Sequence, residues 1–190
     1  MALSSIELCS SALIKLGADG ISSFEDGSAE ARVAARLYPI ARDALLCAHP
    51  WSFATAHAEL ARLAVEPPTD FAFAYQLPTD FLKALSAGDG ARGRGFVYRI
   101  VNRQLHSDAE EVVLCYLFRP SEGDFPAFFV SALVARLAAE FCLPLTENST
   151  RAERLARLAE DELRLARLVD SQQSTPARVE DFTLIEARLG

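Results

Sequence analysis

The stretch FPAFFVSALVARLAAEFCL, residues 125–143, decides the fold class. Phe129, Leu133, Leu137 and Phe141 recur at every fourth position, the spacing that stacks side chains along one face of an α-helix. Phe125, Phe128, Val130 and Val134 widen that face beyond a single stripe, so the helix must meet neighbours on several sides. A helix of this kind belongs inside a bundle.

Candidates for its neighbours lie on both sides in the chain. Residues 3–17 place Leu3, Ile6, Leu13 and Leu16 near one helical face, and Gly17 suits a left-handed carboxy-terminal cap. Residues 28–48 predict a second helix, with Ser28 as N-cap and Val33, Leu37, Ile40, Ala44 and Leu45 as its apolar positions. Pro39 falls inside it and predicts a kink or break near Tyr38, because proline removes a donor and crowds the preceding turn. His49-Pro50 ends the helix. Downstream, Leu143-Pro144-Leu145 marks the exit from the core helix. Residues 149–169 then predict a fourth, with Leu155, Leu158, Ala159, Ala166 and Val169 along a stripe. Its outer face carries Glu153/Arg157 and Glu160/Arg164 at the favourable i,i+4 spacing.

Between the second and third helices, residues 51–119 change character. Phe71, Phe73 and Tyr75 alternate with Ala72, Ala74 and Gln76, and residues 96–101 and 112–118 are two further strand candidates. Residues 102–111 hold a turn with a short strand around 104–106. The expected fold is α+β and mainly α: about four helices with an inserted small antiparallel β region, in one domain over residues 1–170. Residues 171–190 read as a flexible polar linker and a tail.

Composition narrows the function. A length of 190 residues suits one domain with a sizeable core. The net charge of -7 disfavours binding to a nucleic-acid backbone. No run reaches about 18 uncharged apolar residues, so no membrane span is expected. Met1-Ala2-Leu3-Ser4-Ser5 lacks a basic region before its first apolar residues and Glu7 interrupts them, which predicts no secretory leader and synthesis in the cytoplasm. Cys9, Cys47, Cys115 and Cys142 stand singly among apolar or small residues and read as buried free thiols.

Catalytic patterns are missing. The glycine-rich residues 88–95, with Arg92 and Arg94, lack the Gly-Lys-Ser/Thr ending of a phosphate loop and read as a hairpin loop. His49 and His57 have no metal-ligand spacing, and Asp43, His49 and the serines lack a Gly-x-Ser-x-Gly elbow. Glu110-Glu111 and Glu160-Asp161-Glu162 read as solvated faces. No catalytic, cofactor-binding or metal-binding residue is expected, and the chain reads as no enzyme. Trp51, the sole tryptophan, is expected to pin a helix to a sheet.

A series of phrases gives the chain a family resemblance. They are Cys9-Ser10-Ser11-Ala12-Leu13-Ile14-Lys15-Leu16-Gly17, Ile21-Ser22-Ser23-Phe24, and Glu30-Ala31-Arg32 leading to Leu37-Tyr38-Pro39-Ile40-Ala41-Arg42-Asp43. His49-Pro50-Trp51-Ser52-Phe53-Ala54 and Tyr75-Gln76-Leu77-Pro78-Thr79-Asp80-Phe81-Leu82 come next, and residues 132–140 with Leu143-Pro144-Leu145-Thr146 close the series. In order and spacing the chain resembles the tail tubular protein A family, the head-to-tail adaptor subunits of tailed bacteriophages and gene transfer agents. The resemblance covers residues 6 to 170, and within it Tyr38, Pro39, Arg42, Pro50 and Trp51 are structural motif residues. It implies a homo-oligomeric ring of about 12 copies between the portal protein and a downstream tail or stopper protein. DNA would pass its lumen without sequence-specific binding, at the head-tail junction of a particle assembled in the host cytoplasm.

The tail adds a reading from the residues themselves. Val179, Phe182, Ile185 and Leu189, with Leu184 beside them, recur at near-helical spacing after a polar linker, as in a peptide that folds on docking. It is expected to grip the portal or a neighbouring subunit. A different class of function is a helical module holding a peptide in a groove beside Phe125, Phe128 and Phe129, and another is a small hydrolase using His49 or His57.

Overall fold

The computed structural model describes residues 3–89 and 95–173. The tail residues Val179, Phe182, Leu184, Ile185 and Leu189, and the loop arginines Arg92 and Arg94, lie outside them. The fold class is the expected one, α+β and mainly α. Among the described residues four helices, α1 (Ser5–Lys15), α2 (Ala29–Cys47), α3 (Ala127–Thr146) and α4 (Ser149–Ser171), form a bundle. Six strands lie between α2 and α3: β1 (Thr55–Glu59), β2 (Phe73–Gln76), β3 (Phe81–Gly88), β4 (Tyr98–Val101), β5 (Gln104–Ser107) and β6 (Val113–Phe118).

The helix ends obey capping chemistry. Ser4 and Glu7 form a reciprocal capping box on α1, and Gly17 takes a left-handed φ of 70° just past its end. The Ser28 hydroxyl accepts from the Ala31 amide at 3.1 Å and starts α2. Two prolines lie inside helices. Of the kink or break expected near Tyr38, the break is not there, since α2 runs through Pro39. The carbonyl that Pro39 leaves without its helical donor belongs to Ala35, an exposed residue, where solvent is at hand to satisfy it. α3 likewise continues past Pro144 into its last turn. There Thr146 donates to the Cys142 carbonyl at 2.6 Å, and Glu147, at φ 53°, closes the helix from its amide to the Leu143 carbonyl at 3.0 Å.

α3 packs against α1, α2 and α4, which accounts for the breadth of its apolar face. It is long and apolar enough to cross a membrane, and half of its apolar window is buried inside the fold. The row that α4 buries is not the expected stripe. Ala159, Ala166 and Asp170 are buried, and Ala152, Leu155 and Leu163 are partly so, whereas Leu158 and Val169 are exposed. Alanines on the inner row let α4 come close to α3, so its larger side chains turn outward.

The strands form two three-stranded antiparallel sheets rather than one, ordered β1-β6-β3 and β2-β5-β4. β4 and β5 meet at Asn102 and Arg103, both at positive φ, which is the backbone of a two-residue hairpin turn of type I′. β6 separates two cores. Leu117 faces the helical core, while Leu114 and Tyr116, on the opposite face by strand alternation, join Leu60, Tyr75 and Leu105 in a second.

Candidate assembly surface and the junctions behind it

The helices are held to the sheets at two polar junctions. The first gathers where α2 ends. Trp51 is fully buried, its indole N–H donates to the Leu45 carbonyl at 3.0 Å, and its ring meets Phe129 edge-on at 5.2 Å. Phe125 and Phe129 are buried and pack with Phe53 in the same aromatic cluster, and Phe128 stands half-buried beside them. Asp170, only 3% exposed, reaches this turn from the end of α4. Both its oxygens accept from the Ser52 amide at 3.1 Å, and Oδ1 accepts from the Ser52 hydroxyl at 2.7 Å. It therefore caps the short 3₁₀ turn at Ser52–Ala54 from 118 residues away in sequence.

His49 Nε2 stands 3.5 Å from Asp170. Burial lowers the His49 pKa below its ordinary value; the Asp170 charge opposes that shift and Arg167 adds to it. Arg167 donates to the Ala48 carbonyl at 3.0 Å, while its Nε is buried without a hydrogen-bond partner among the described residues. An open cleft of about 600 Å³ runs past His49, Pro50, Ser52, Thr55 and Asp170. The serine, histidine and carboxylate are together, but the Ser52 hydroxyl donates to the carboxylate and makes no hydrogen bond to His49 among the described residues, unlike the serine–histidine–carboxylate order of a nucleophilic triad. His57 sits exposed in β1 opposite Cys115 and joins no such group.

The second junction ties α2 to the link between β6 and α3. Tyr38 donates to Glu122 Oε1 at 2.9 Å, and Arg42 donates to the same oxygen at 3.1 Å and to Asp43 at 2.9 Å. Arg119 closes the chain with a fork on Asp43 at 3.1 and 2.6 Å. Burial raises the Tyr38 pKa, and the Glu122 carboxylate raises it further. In Asp43, burial pushes the pKa up but hydrogen bonds from Arg119 and Arg42 prevail and hold it below its ordinary value. Glu122 is lowered in the same balance, burial being outweighed by backbone, Tyr38 and Arg42 hydrogen bonds.

Tyr38, Arg42 and Trp51 thus lie in the two junctions. Pro39 is exposed on α2, and Pro50 is exposed at the rim of the cleft. Asp170, Ser52, Glu122 and Arg119 were not among the expected motif residues. The one local signal was Asp170, a carboxylate continuing the buried row of α4. Among the described residues no group of three or more histidine, cysteine or acidic side chains could hold a metal ion. None of the four cysteines is in a disulfide; Cys47 is half-buried and the others are buried. Burial pushes the Cys9 thiol up to about 12, far from reactive.

Besides exposed side chains elsewhere such as Ile14, Ile40, Val65 and Val97, two grouped apolar features lie on the outside of the described residues. On α4, Leu158, Leu165, Leu168 and Val169 are 39–58% exposed, at positions that recur along one side of the helix. Arg164 on that helix pairs with Asp161 at 2.9 Å instead of with Glu160. Between α2 and the end of α3 runs an open groove of about 350 Å³, floored by Val33, Leu37, Pro144 and Leu145 and edged by Arg32 and Arg36. No protein-family model matches this sequence, and no curated protein shows significant similarity to it.

Proposed function

We propose that the chain is a structural virion protein, a head-to-tail adaptor that forms a ring between portal and tail and helps to form the channel for DNA. The observation that carries this reading is the uncovered apolar side of α4, with Leu165 and Leu168 each 58% exposed on a helix fixed at both ends. Side chains of that size gain roughly 1.5–3 kcal/mol each when covered, so a row of them suits a subunit that is complete only beside a neighbour. Contacts between identical subunits in a ring are heterologous and close by rotation, which calls for two different faces on each subunit. The α4 row and the groove between α2 and α3 supply two such faces. The acidic balance of the chain suits a lumen through which DNA slides without adhering.

The phrases that resemble the adaptor family support the same reading, because they include Tyr38, Arg42, Trp51 and Ser52, which join bundle and sheets. Electron microscopy of particles from cells lacking the gene tests it. Heads without tails are expected, and complete tailed particles would overturn it. In that event the groove at Arg32 and Arg36 favours a second reading, a peptide-binding module without catalytic activity.

A further inference from the structure

We infer that the groove between α2 and the end of α3 receives the carboxy-terminal segment, residues 176–190, of a second copy of this chain. The inference deepens the ring reading by naming the subunit contact.

The groove has a definite chemistry. Its floor is apolar, and Arg32 and Arg36 stand one helical turn apart on its edge. Both are exposed, and neither makes an ion pair or a side-chain hydrogen bond among the described residues. An occupant that fits is therefore amphipathic and acidic. Residues 176–190 match: Val179, Phe182, Ile185 and Leu189 supply apolar anchors at near-helical spacing, and Glu180, Asp181 and Glu186 lie among them. Arg178 and Arg188 flank that acidic stretch. A helix-in-groove contact uses this combination, apolar anchors for affinity and rim charges for register.

The ring reading selects the neighbouring subunit. Asp170 is fixed to Ser52 at the α2 carboxy-terminal end of the bundle, and Pro144 and Leu145 lie by the other end of α4, about 34 Å away along its 23 residues. A fully extended chain from Ser171 covers about 28 Å to Val179 and about 38 Å to Phe182, so the tail is long enough to meet such a groove from outside its own body. Tail into a neighbour's groove, repeated, is a heterologous contact that closes a ring, and unlike a tail folded onto its own subunit it makes the chains associate.

Charge exchange between full-length chains tests this. One variant carries Arg32→Glu and Arg36→Glu; the other carries Glu180→Arg and Asp181→Arg. Self-association is measured by analytical ultracentrifugation from micromolar to several hundred micromolar, with urea unfolding as a check that each variant keeps the fold. The unaltered chain is expected to associate with concentration, and each variant alone to associate at least 10-fold more weakly. An equal mixture is expected to recover, because the reversed tail of one meets the reversed groove of the other. An unaltered chain that stays monomeric, variants that associate as well as it does, or a mixture that fails to recover would each overturn the inference. Tailless heads from cells lacking the gene, together with unaffected variants, would retain the adaptor and remove this contact. Tailed particles with recovery on mixing would do the reverse.

Discussion

The helical core and the β core meet at β6 but are built on different terms. α3 presents buried side chains all round and is covered by three helices. The β core rests on small sheets whose edge strands β1, β2 and β4 have four or five residues and whose eight-residue edge β3 is broken by register shifts. Its strongest side-chain ties are local to the sheets, such as Tyr75 donating to the Ala109 carbonyl and Ser107 to the Val97 carbonyl. Burial on several sides makes the bundle the stable scaffold, while short edge strands leave the β part dependent on it. The two polar junctions are where one part lends order to the other.

The largest effect is expected at the aromatic centre of the helical core. Trp51→Ala removes a fully buried ring that touches Phe53, Phe128 and Phe129, and should cost about 3–5 kcal/mol in urea unfolding. Helix and sheet signals are expected to be lost together. Loss of the sheet signal alone would make the β core the site that Trp51 supports.

Next comes the buried carboxylate. Asp170→Ala leaves the Ser52 amide and hydroxyl without their acceptor and should cost roughly 1.5–3 kcal/mol. Hydrogen exchange sharpens the comparison. Protection is expected to fall in the last turn of α4 and in β1 while the middle of α3 keeps its own, and uniform loss would mean that the junction is no separate link.

The same contrast explains what could be read from the residues alone. The helices were legible from their apolar periods, helped in α1 and α2 by the capping signals Gly17 and Ser28, although α2 leaves the expected positions Ile40 and Ala44 exposed and α4 buries another row. β1 was not legible, since Thr-Ala-His-Ala-Glu has little strand character and is a strand only because β6 pairs with it. β3 was hidden for a subtler reason. Register shifts between Phe81 and Lys83 and between Ala84 and Ser86 break its alternation, so Leu82 and Leu85 face the helical core while Phe81, Ala84 and Ala87 face the other. A spacing of three in sequence does not look like a strand. The role of Asp170 is not written in the local sequence because its partner Ser52 is joined to it only by the fold, although a carboxylate on the buried row of α4 is the kind of residue that needs one.

Acid should weaken the second junction in a predictable direction. Asp43 and Glu122 are held below their ordinary pKa values, so their stabilising contribution is complete above the ordinary carboxylate range and is lost as pH falls through the lowered folded values. The combined change Asp43→Asn and Glu122→Gln should cost roughly 1 kcal/mol at neutral pH and flatten that acid dependence. Urea midpoints taken from pH 7 to pH 3 measure it. A variant as acid-sensitive as the unaltered chain would move the acid response to other carboxylates.

The smallest effect on the subunit should accompany a large one on assembly. Leu165 is 58% exposed, and a lysine there stays in water in the isolated chain, so Leu165→Lys should change unfolding by less than about 0.5 kcal/mol. In a ring the same lysine would lie against a neighbour, where an unpaired buried charge is costly. Complementing cells that lack the gene with this variant is therefore expected to give few tailed particles from a normally folded protein. Stability lowered by more than about 1 kcal/mol would assign Leu165 to the subunit's own core. Normal stability with a full yield of tailed particles would leave the α4 row outside the ring contact and shift the whole of it to the groove at Arg32 and Arg36.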